Sequence, residues 1–548
     1  MREDCEMNRL LVFCIIMITF GSVLAQQPTE EVKELVRNEI VILPFVQIGE
    51  VGIEETPPPP DIEGFEVDIL ADISWLRNTF PIIMGLTMEK TYSVLVTFGD
   101  DVIRTGSKLG VDLKREVSIE DACMLARYMG CDAVVVGTYE KVDDSVRVRY
   151  ALVGVEDSSV IREGVFEVNK DDIQKRVIGE TYAILNALGV DVGQDVKKRI
   201  GDGFTGNLKA MRWTAKCIGL PITGQMIGFA SKAIEEDAEF AYPYKLLGDA
   251  YMFEDDFRTA DYNYDNAIRL DSSMPSFYLA KGVNYYREGK DKLSQTIILT
   301  KGFITALTEL KENLESAPFG IDDEGFETTR KMLIEEIGLT LENGEFTSSG
   351  LVEAMYSFKS VGANFKDELD MMGTLSKLER AFDELSKARQ ESKGKVPEPE
   401  EFIKAENAFN EALTIDPGYA IAYVRLAKIE EERDNRVKAI ELLKKALSID
   451  KVNSEALVML GNNYWYYGAT LPQWRKYFGL AIDAYKSALE IRPDMSVTHY
   501  NIASLYLKVE DAENAIYHFE RFLELEPDSG KAEDIRKTIE NLKKGKYK

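Results

Sequence analysis

The chain is poor in histidine, with only His499 and His518 among its 548 residues. Ser-His-Asp and Cys-His catalysis each need a histidine beside the nucleophile, and imidazole-based zinc sites need several. The two histidines lie close together near the C-terminus, where packing is their expected role. This shortage argues against the common hydrolase classes and against a histidine-based zinc centre.

Cysteine is also scarce, at five residues, and two of them precede residue 25. The others are Cys123, Cys131 and Cys217, an odd number that does not make a disulfide framework. No pair of them has the spacing of a zinc finger. A bridge between Cys123 and Cys131 is one alternative, but we expect three buried free thiols.

Positive charge is in deficit, because 66 Lys and Arg residues face 94 Asp and Glu residues, for a net charge of −28 at pH 7. Phosphate binding depends on clustered cations, so this balance argues against nucleic acid as a partner. The same acidity repels anionic membrane surfaces. Hydrophobic residues make up 45% of the chain, which is ample for packed cores. The length predicts about three or four domains.

A single apolar run marks the N-terminus, from Leu10 to Ala25, and it is shorter than the ~20 residues that span a bilayer. A small-residue cleavage site precedes Gln26. The sequence therefore predicts a signal peptide over 1–25, a linker over 26–38, and export to the periplasm or cell envelope without membrane insertion after cleavage. An uncleaved anchor is the alternative, and peripheral association with the envelope stays open.

The region over 39–195 mixes strand and helix signals. The β-branched run "EIVILPFV" (39–46) predicts a buried strand. Four consecutive prolines in the loop over 54–64 exclude helix and sheet there. Residues 66–98 are predicted to be mainly helical, with a break near Pro81.

A helix and a three-stranded meander are predicted next. Ser118 and Gly130 carry the N-cap and C-cap signals of a helix between them. Alternating β-branched runs follow, separated by turn clusters at 142–145 and 156–159, and a helix over 171–189 closes the unit. This order predicts a compact α/β domain in which helices pack on a mixed sheet.

From about residue 205 the apolar period changes from two to 3.6. A repeat of about 34 residues has small residues at positions 8, 20 and 27, large residues at 4, 11 and 24, and proline near 32. The sequence fits this ruler from Ala241, Ala420, Ser454 and Ser496. Each unit is predicted to be a helical hairpin, because small residues let two helices approach closely and proline stops the second helix.

These residues and spacings, as in "AIYHFERFLELEP" (515–527), resemble the tetratricopeptide repeat. The resemblance implies an all-α superhelix, with degenerate repeats over 205–295, repeats over 401–529 and a capping helix over 530–548. Residues 296–400 are helical but do not fit the ruler. A spacer and divergent repeats are both open for that stretch.

The first domain resembles the amino-terminal domain of TolB and the flagellar assembly family around FlgO. The resemblance rests on "VILPF" (41–45), on "ARYMGCDAVVVGTYEKVDDSVRVRYALVGVEDSSVI" (126–161) and on the closing helix. It implies an exported α/β module. The insertion around 50–80 departs from the family's short connection, and helical repeats stand where TolB has a β-propeller. TolB's own function is therefore not implied.

No motif for catalysis or cofactor binding is found. "TGSKLG" (105–110) lacks the glycine spacing of a phosphate loop, and "VDVGQD" (190–195) lacks the alternating oxygen ligands of a calcium loop. Carboxylate pairs such as Asp255-Asp256 are expected on the surface of so acidic a chain. We therefore predict no catalytic residue, no cofactor and no metal, and a protein that is not an enzyme.

Partner binding is the role that remains. The repeat family directs positions 2, 5, 9, 12 and 13 of each first helix into a concave groove. Matching those positions gives the predicted partner-binding residues Lys428, Asn462, Trp465, Tyr466, Tyr500, Ser504 and Lys508. The family's two-carboxylate clamp needs Lys and Asn residues in a set order that is missing here, so clamping of a C-terminal peptide is not expected.

An expansion of eight residues in the third unit enriches this groove in aromatic side chains. The segment 462–478 holds two of the chain's four tryptophans, Trp465 and Trp474, together with an arginine. Aromatic residues and arginine are the usual anchors of interfaces. Core packing of two lengthened helices is the other interpretation.

The favoured function is an exported, non-enzymatic scaffold that binds protein partners at the cell envelope. The alternative is a ligand-sensing or transport-associated module, in which the α/β domain holds a small molecule. That alternative needs a pocket with convergent polar groups, and the sequence does not point to one.

Overall fold

A computed structural model describes residues 38–48, 73–201, 204–220, 224–295, 297–298, 300–317, 319, 321, 323–343, 345–346, 349–362, 365, 371–392 and 398–544. The predicted signal peptide, the linker up to residue 37 and the proline-rich loop lie outside the described residues. No helix within the described ranges is long and apolar enough to cross a membrane. All the described residues belong to one compact unit.

A six-stranded mixed sheet forms the centre of the N-terminal domain. Its strands are β1 (Asn38–Ile42), β2 (Val46–Gln47), β3 (Val94–Thr97), β4 (Ala133–Val142), β5 (Ser145–Gly154) and β6 (Val160–Asn169). Their order is β3-β1-β4-β5-β6, with β2 beside β4. β1 runs parallel to β3 and β4, whereas β4, β5 and β6 form an antiparallel meander. The predicted mixed sheet and its meander are confirmed.

Helices cover both faces of this sheet. They are α1 (Leu76–Glu89), α2 (Asp100–Leu109), α3 (Ile119–Tyr128) and α4 (Ile173–Ala187), and α5 (Gln194–Gly201) follows them. Phe80 of α1 and Val177 of α4 join the buried cluster on one face of the sheet. Val102 of α2 and Leu125 of α3 join the cluster on the other face. A central parallel strand buried on both faces needs apolar residues in succession, which β1 has in Ile40, Val41 and Ile42.

The prediction that residues 66–98 are mainly helical holds for α1 (Leu76–Glu89) and is wrong at the end of the segment. Val94–Thr97 is strand β3, which pairs with β1 at the edge of the sheet. Its β-branched residues fit a pleated strand better than a helix. The break expected near Pro81 is also absent, because α1 continues through this residue. Pro81 has no N–H for the carbonyl of Arg77, and that carbonyl instead accepts the N–H of Phe45 at 3.0 Å.

The predicted helix between Ser118 and Gly130 is present as α3, with both of its end signals. The hydroxyl of Ser118 accepts the N–H of Asp121 at 3.0 Å. Gly130 lies beyond the other end with a φ of 79°, a conformation that favours glycine. The sequence signals therefore set both ends of this helix.

Helical hairpins make up most of the rest of the described chain. Their helix pairs are α6 (Leu208–Cys217) with α7 (Gly224–Glu236), α8 (Ala241–Phe253) with α9 (Phe257–Leu270), α10 (Pro275–Gln295) with α15 (Glu400–Ile415), α16 (Ala420–Glu432) with α17 (Arg436–Ile449), α18 (Ser454–Ala469) with α19 (Trp474–Ile491), and α20 (Ser496–Lys508) with α21 (Ala512–Leu525). The helix α22 (Ala532–Lys543) packs on α21 at the C-terminal end. The predicted α/β domain followed by an all-α array is confirmed.

Small residues let the paired helices approach closely. A Cβ at Gly248 would lie 2.7 Å from the ring of Tyr264, and a Cβ at Gly461 would lie 2.6 Å from the ring of Tyr485. The hydroxyl of Tyr264 also donates to Asp249 at 2.9 Å. The small and large positions of the ruler therefore meet each other across the hairpin.

The stretch over 296–400 is an insertion within one hairpin, between its first helix α10 and its second helix α15. A Cβ at Gly282 of α10 would lie 2.4 Å from the ring of Phe409 of α15, so these two helices form a complete repeat. The insertion contains α11 (Lys301–Ser316), β7 (Ile297–Ile298), α12 (Glu324–Asn343), β8 (Glu345–Phe346), α13 (Ser349–Gly362) and α14 (Met371–Ser392). Its helices share a separate core that includes Phe303, Phe326 and Phe358.

The α/β domain packs against the turns that join successive hairpins. Lys90, at the end of α1, forms a buried ion pair with Asp271 at 2.7 Å. A Cβ at Gly130 would lie 3.0 Å from the carbonyl oxygen of Val452, in a second turn. Lys108 of α2 pairs with Asp494, in a third turn, at 2.8 Å. The first domain is thus held along one edge of the helical array.

Candidate partner-binding groove

The first helices α16, α18 and α20 carry all seven predicted partner-binding residues. Lys428 of α16 pairs with Glu455 of α18 at 2.6 Å, and Arg425 pairs with the same carboxylate at 2.7 Å. Burial alone would raise the pKa of Glu455, but the two cations outweigh burial and hold it below the usual value. Lys428 therefore has an internal partner and joins two neighbouring repeats.

Asn462 lies between two repeats and is also bonded within the protein. Its side-chain oxygen accepts the hydroxyl of Tyr485 at 2.6 Å and the amide of Asn501 at 3.4 Å. These contacts connect α18 to its own second helix and to the first helix of the next repeat. These hydrogen bonds hold α18, the helix that also carries Trp465 and Tyr466, against its neighbours.

Trp465 and Tyr466 form a stacked pair, with ring centroids 6.2 Å apart and an angle of 14° between their planes. Trp465 is half-buried and packs on the core of the last hairpins. Tyr466 is 60% exposed, and the guanidinium of Arg436 lies 5.1 Å from its ring centroid. The pair therefore fits both interpretations of the expansion. Trp465 packs on the core, and Tyr466 exposes a ring that a partner could contact.

The remainder of the expansion packs on itself. Tyr467 meets Tyr477 edge to face at 5.1 Å, and Trp474 meets Phe478 at 5.2 Å. A Cβ at Gly468 would lie 2.4 Å from Cβ of Tyr477, so a glycine is needed where the two lengthened helices cross. Most of these aromatic residues therefore support the lengthened hairpin.

Tyr500, Ser504 and Lys508 lie on α20, in the last hairpin. Tyr500 packs at 6.1 Å from Phe519, and the amine of Lys531 lies 4.1 Å from its ring centroid. Ser504 donates its hydroxyl to the carbonyl of Tyr500 at 2.9 Å. Lys508 is exposed at the end of the helix. The hydrogen bond joins neighbouring turns of α20, and Lys508 lies one turn further along the same helix.

Arg436 and Glu455 belong to this site although sequence reasoning did not select them. Arg436 begins a second helix, and Glu455 occupies the second position of α18, which the groove rule includes. The ruler therefore contained a signal for Glu455, but it contained none for Arg436.

A cavity of about 350 Å³ lies between the α/β domain and the first hairpins. Its polar lining includes Asp100, Lys245 and Asp249, together with the apolar rings of Phe98 and Tyr242. Lys245 pairs with Asp249 at 2.6 Å, and Asp100 accepts the N–H of Gly219 at 2.6 Å. These charged groups are committed to partners within the protein.

Metal and thiol chemistry find little support in the described part of the chain. No group of three or more His, Cys, Asp or Glu side chains there could hold a metal ion. Cys123, Cys131 and Cys217 are free and buried, which confirms the expectation for these thiols. Burial raises the pKa of Cys217 to about 12, so this thiol stays protonated and unreactive at neutral pH.

Residues 497–529 match the family model of the tetratricopeptide repeat. The matched segment covers the hairpin of α20 and α21. The chain therefore contains a tetratricopeptide repeat at this position, and the hairpins before it share the close contacts described above.

Known proteins that are similar to this chain include proteins with repeats of this kind. A stretch of 60 residues is 35% identical to tetratricopeptide repeat protein 17 of Danio rerio, and covers 11% of this chain and 5% of that protein. YrrB, described as a TPR protein with an unusual peptide-binding site, is 16% identical over 56% of this chain and 97% of its own, with a TM-score of 0.28. MamA is 21% identical over 29% of this chain and 96% of its own, with a TM-score of 0.22. We assign the fold from the contacts within the helix pairs and not from these similarities.

Proposed function

We propose that this chain is an exported, non-enzymatic scaffold that binds a protein partner at the cell envelope through the groove of its repeats. The repeat match over 497–529 supports a general role in protein interaction, because stacked repeats present extended binding surfaces. The short apolar run before Gln26 supports export.

The observation that carries the proposal is the open aromatic ring on the expanded hairpin. Tyr466 is 60% exposed although it stacks on Trp465 and lies under Arg436. A side chain that is already held in place loses little conformational freedom when a partner binds. Because Lys428 and Arg425 both pair with Glu455 within the protein, aromatic contact is expected to supply most of the affinity.

Site-specific crosslinking in the producing cell tests this proposal. A photoreactive amino acid in place of Tyr466 should crosslink to a discrete protein, which mass spectrometry then identifies. Tyr356 is the matched control, since it is also 60% exposed but lies on the inserted helices. Crosslinks that are the same at both positions would contradict a partner site in the groove.

Tyr466→Ala should then weaken binding of the captured partner about 30-fold, which corresponds to the ~2 kcal/mol of an interface hot spot. The melting temperature should change little, because the ring is mostly exposed. Tyr356→Ala should leave both the affinity and the melting temperature unchanged. A Tyr466→Ala protein that binds as tightly as the parent would exclude this ring as the anchor.

A further inference from the structure

The two histidines of the chain are in direct contact inside the last hairpin. His499 comes from α20 and His518 from α21, and their Nδ1 atoms are 2.9 Å apart. The side chains are 4% and 7% exposed. When two neutral, buried imidazoles lie at hydrogen-bond distance, one ring must donate the proton and the other must accept it.

The surroundings fix that choice. Nε2 of His499 lies 3.0 Å from the carbonyl oxygen of Pro493, which can only accept. His499 must therefore carry its proton on Nε2, and its Nδ1 is a bare acceptor in the neutral ring. His518 must then donate from its own Nδ1. The hydrogen bonds run in one direction, from His518 to His499 and from His499 to Pro493.

Pro493 lies in the turn that holds the α/β domain. Its neighbour Arg492 donates to the hydroxyl of Tyr128 at 2.9 Å, and that hydroxyl donates to Asp494 at 2.9 Å. Lys108 pairs with the same carboxylate at 2.8 Å. The histidine pair is thus one hydrogen bond away from the residues that bind the end of α3 and the end of α2.

Charged and aromatic groups from three helices face the pair. Lys486 of α19 lies near His518, and the ring of Tyr506 of α20 stacks on His518 at 5.7 Å. Tyr517 of α21 meets His518 at 4.9 Å. The charged residues of α21 that act on His499 are Arg521 and Glu524. Apart from Glu524, the charged neighbours are cations, so the site disfavours a second positive charge.

We propose that this pair is a pH-sensitive latch, which holds the turn around Pro493 against the α/β domain when both rings are neutral and releases it on protonation. A proton added to Nδ1 of His499 makes two N–H groups face each other at the present separation. The hydrogen bond between the rings is then lost, and repulsion replaces it.

The direction of the pH effect follows from burial. Burial lowers the pKa of both histidines, and in His518, where the charges of His499 and Lys486 add to it, the value falls to about 4. A base whose pKa is lowered by folding stabilises the folded state above its ordinary value near 6.5, and that stability is lost as the pH falls towards 4. The latch is therefore closed at pH 7.5 and weakened at pH 5.

The residues that the latch controls keep their charges over the same range. Burial would raise the pKa of Asp494, but hydrogen bonds from Lys108 and Tyr128 outweigh burial and hold it below its usual value. Hydrogen bonds to Asp494 and Tyr128 raise the pKa of Lys108. A change at pH 5 in this contact is therefore traced to the histidines and not to the ion pair itself.

Hydrogen exchange of the full chain tests the latch, with rates normalised to the intrinsic exchange at each pH. In the parent protein, exchange of residues 108–131 and 490–499 should accelerate at least tenfold from pH 7.5 to pH 5. His499→Gln can donate to Pro493 and accept from His518 without titrating, so it should reduce the acceleration to the part that His518 alone contributes. His499→Phe removes both hydrogen bonds and should give fast exchange at both pH values. An unchanged parent, or a Gln variant that behaves as the parent does, overturns the proposal.

Nitrogen NMR of the unmodified chain gives a test that needs no variant. Because the chain has only two histidines, labelled imidazole signals report on this pair alone. At pH 7.5 one ring should be protonated on Nε2 and the other on Nδ1, and both should titrate below the usual histidine value near 6.5. Two rings with the same tautomer, or two independent titrations near pH 6.5, would exclude the latch.

Discussion

Ala446 is a position at which one side chain decides whether two helices can meet. It lies on α17, is fully buried and belongs to the core of the last hairpins. Ala446→Trp should overpack this contact and destabilise the protein by ~1–3 kcal/mol or more. Thermal unfolding of the protein measures the loss. Glu441→Trp, at an exposed position of the same helix, is the control and should unfold as the parent does. Equal melting temperatures for Ala446→Trp and the parent would show that the ruler is out of register in this repeat.

The repeat pattern predicted which helix carries each candidate residue, but it did not predict the contacts of that residue. The ruler places Asn462 and Tyr466 on the first helix of one repeat, and the structure has both on α18. Their exposure depends on residues elsewhere in the chain, since the hydroxyl of Tyr485 reaches Asn462 whereas Tyr466 remains largely open. A periodic pattern reports which helix face a residue occupies, and it does not report which distant side chain comes to cover it.

The 34-residue repeat pattern predicted helices more accurately than short sequence patterns predicted strands. The helices α8, α16, α18 and α20 begin at the residues from which the ruler runs, because a motif of about 34 residues constrains its own register. Strand β3 has only four residues, and its partner β1 lies far back in the chain. The pairing of α10 with α15 spans the whole insertion, so no local pattern could show that these two helices form one repeat.

The inserted helices α11 to α14 should be dispensable for the rest of the fold. Their core is separate from that of the hairpins, and the ion pair between Arg380 and Glu309 closes within the insertion. Replacing residues 296–399 by a short glycine-serine linker should leave the hairpin of α10 and α15 intact, because Gly282 and Phe409 still meet. We expect a melting temperature within a few degrees of the parent's, measured by circular dichroism. Loss of cooperative unfolding in the shortened chain would show that the insertion is part of the array.

The turns between hairpins give the chain its long-range organisation. Asp271, Asp450 and Asp494 each follow a second helix, and each faces the α/β domain. Two of these contacts join opposite charges, through Lys90 and Lys108. The third joins two acids, because Glu39 of β1 shares a hydrogen bond with Asp450. Aspartates in three turns therefore contact one domain in two different electrostatic settings.

The contact of Glu39 with Asp450 should make the chain less stable as the pH rises. Burial, followed by the charges of Asp450 and Asp132, raises the pKa of Glu39 far above its usual 4.5. An acid whose pKa is raised by folding contributes stability below its ordinary value and loses it at higher pH. Glu39→Gln keeps the shape and can donate to Asp450 without titrating.

Glu39→Gln should therefore raise the melting temperature relative to the parent, and by more at pH 8 than at pH 5. The expected gain at pH 8 is on the order of 1–3 kcal/mol, since each unit of pKa shift is worth about 1.4 kcal/mol. Glu156→Gln, in an exposed turn of the same domain, should show no such difference between the two pH values. A Glu39→Gln protein whose advantage is the same at both pH values would mean that Glu39 is already ionised in the folded chain, and the contact with Asp450 would then need a cation between the two carboxylates.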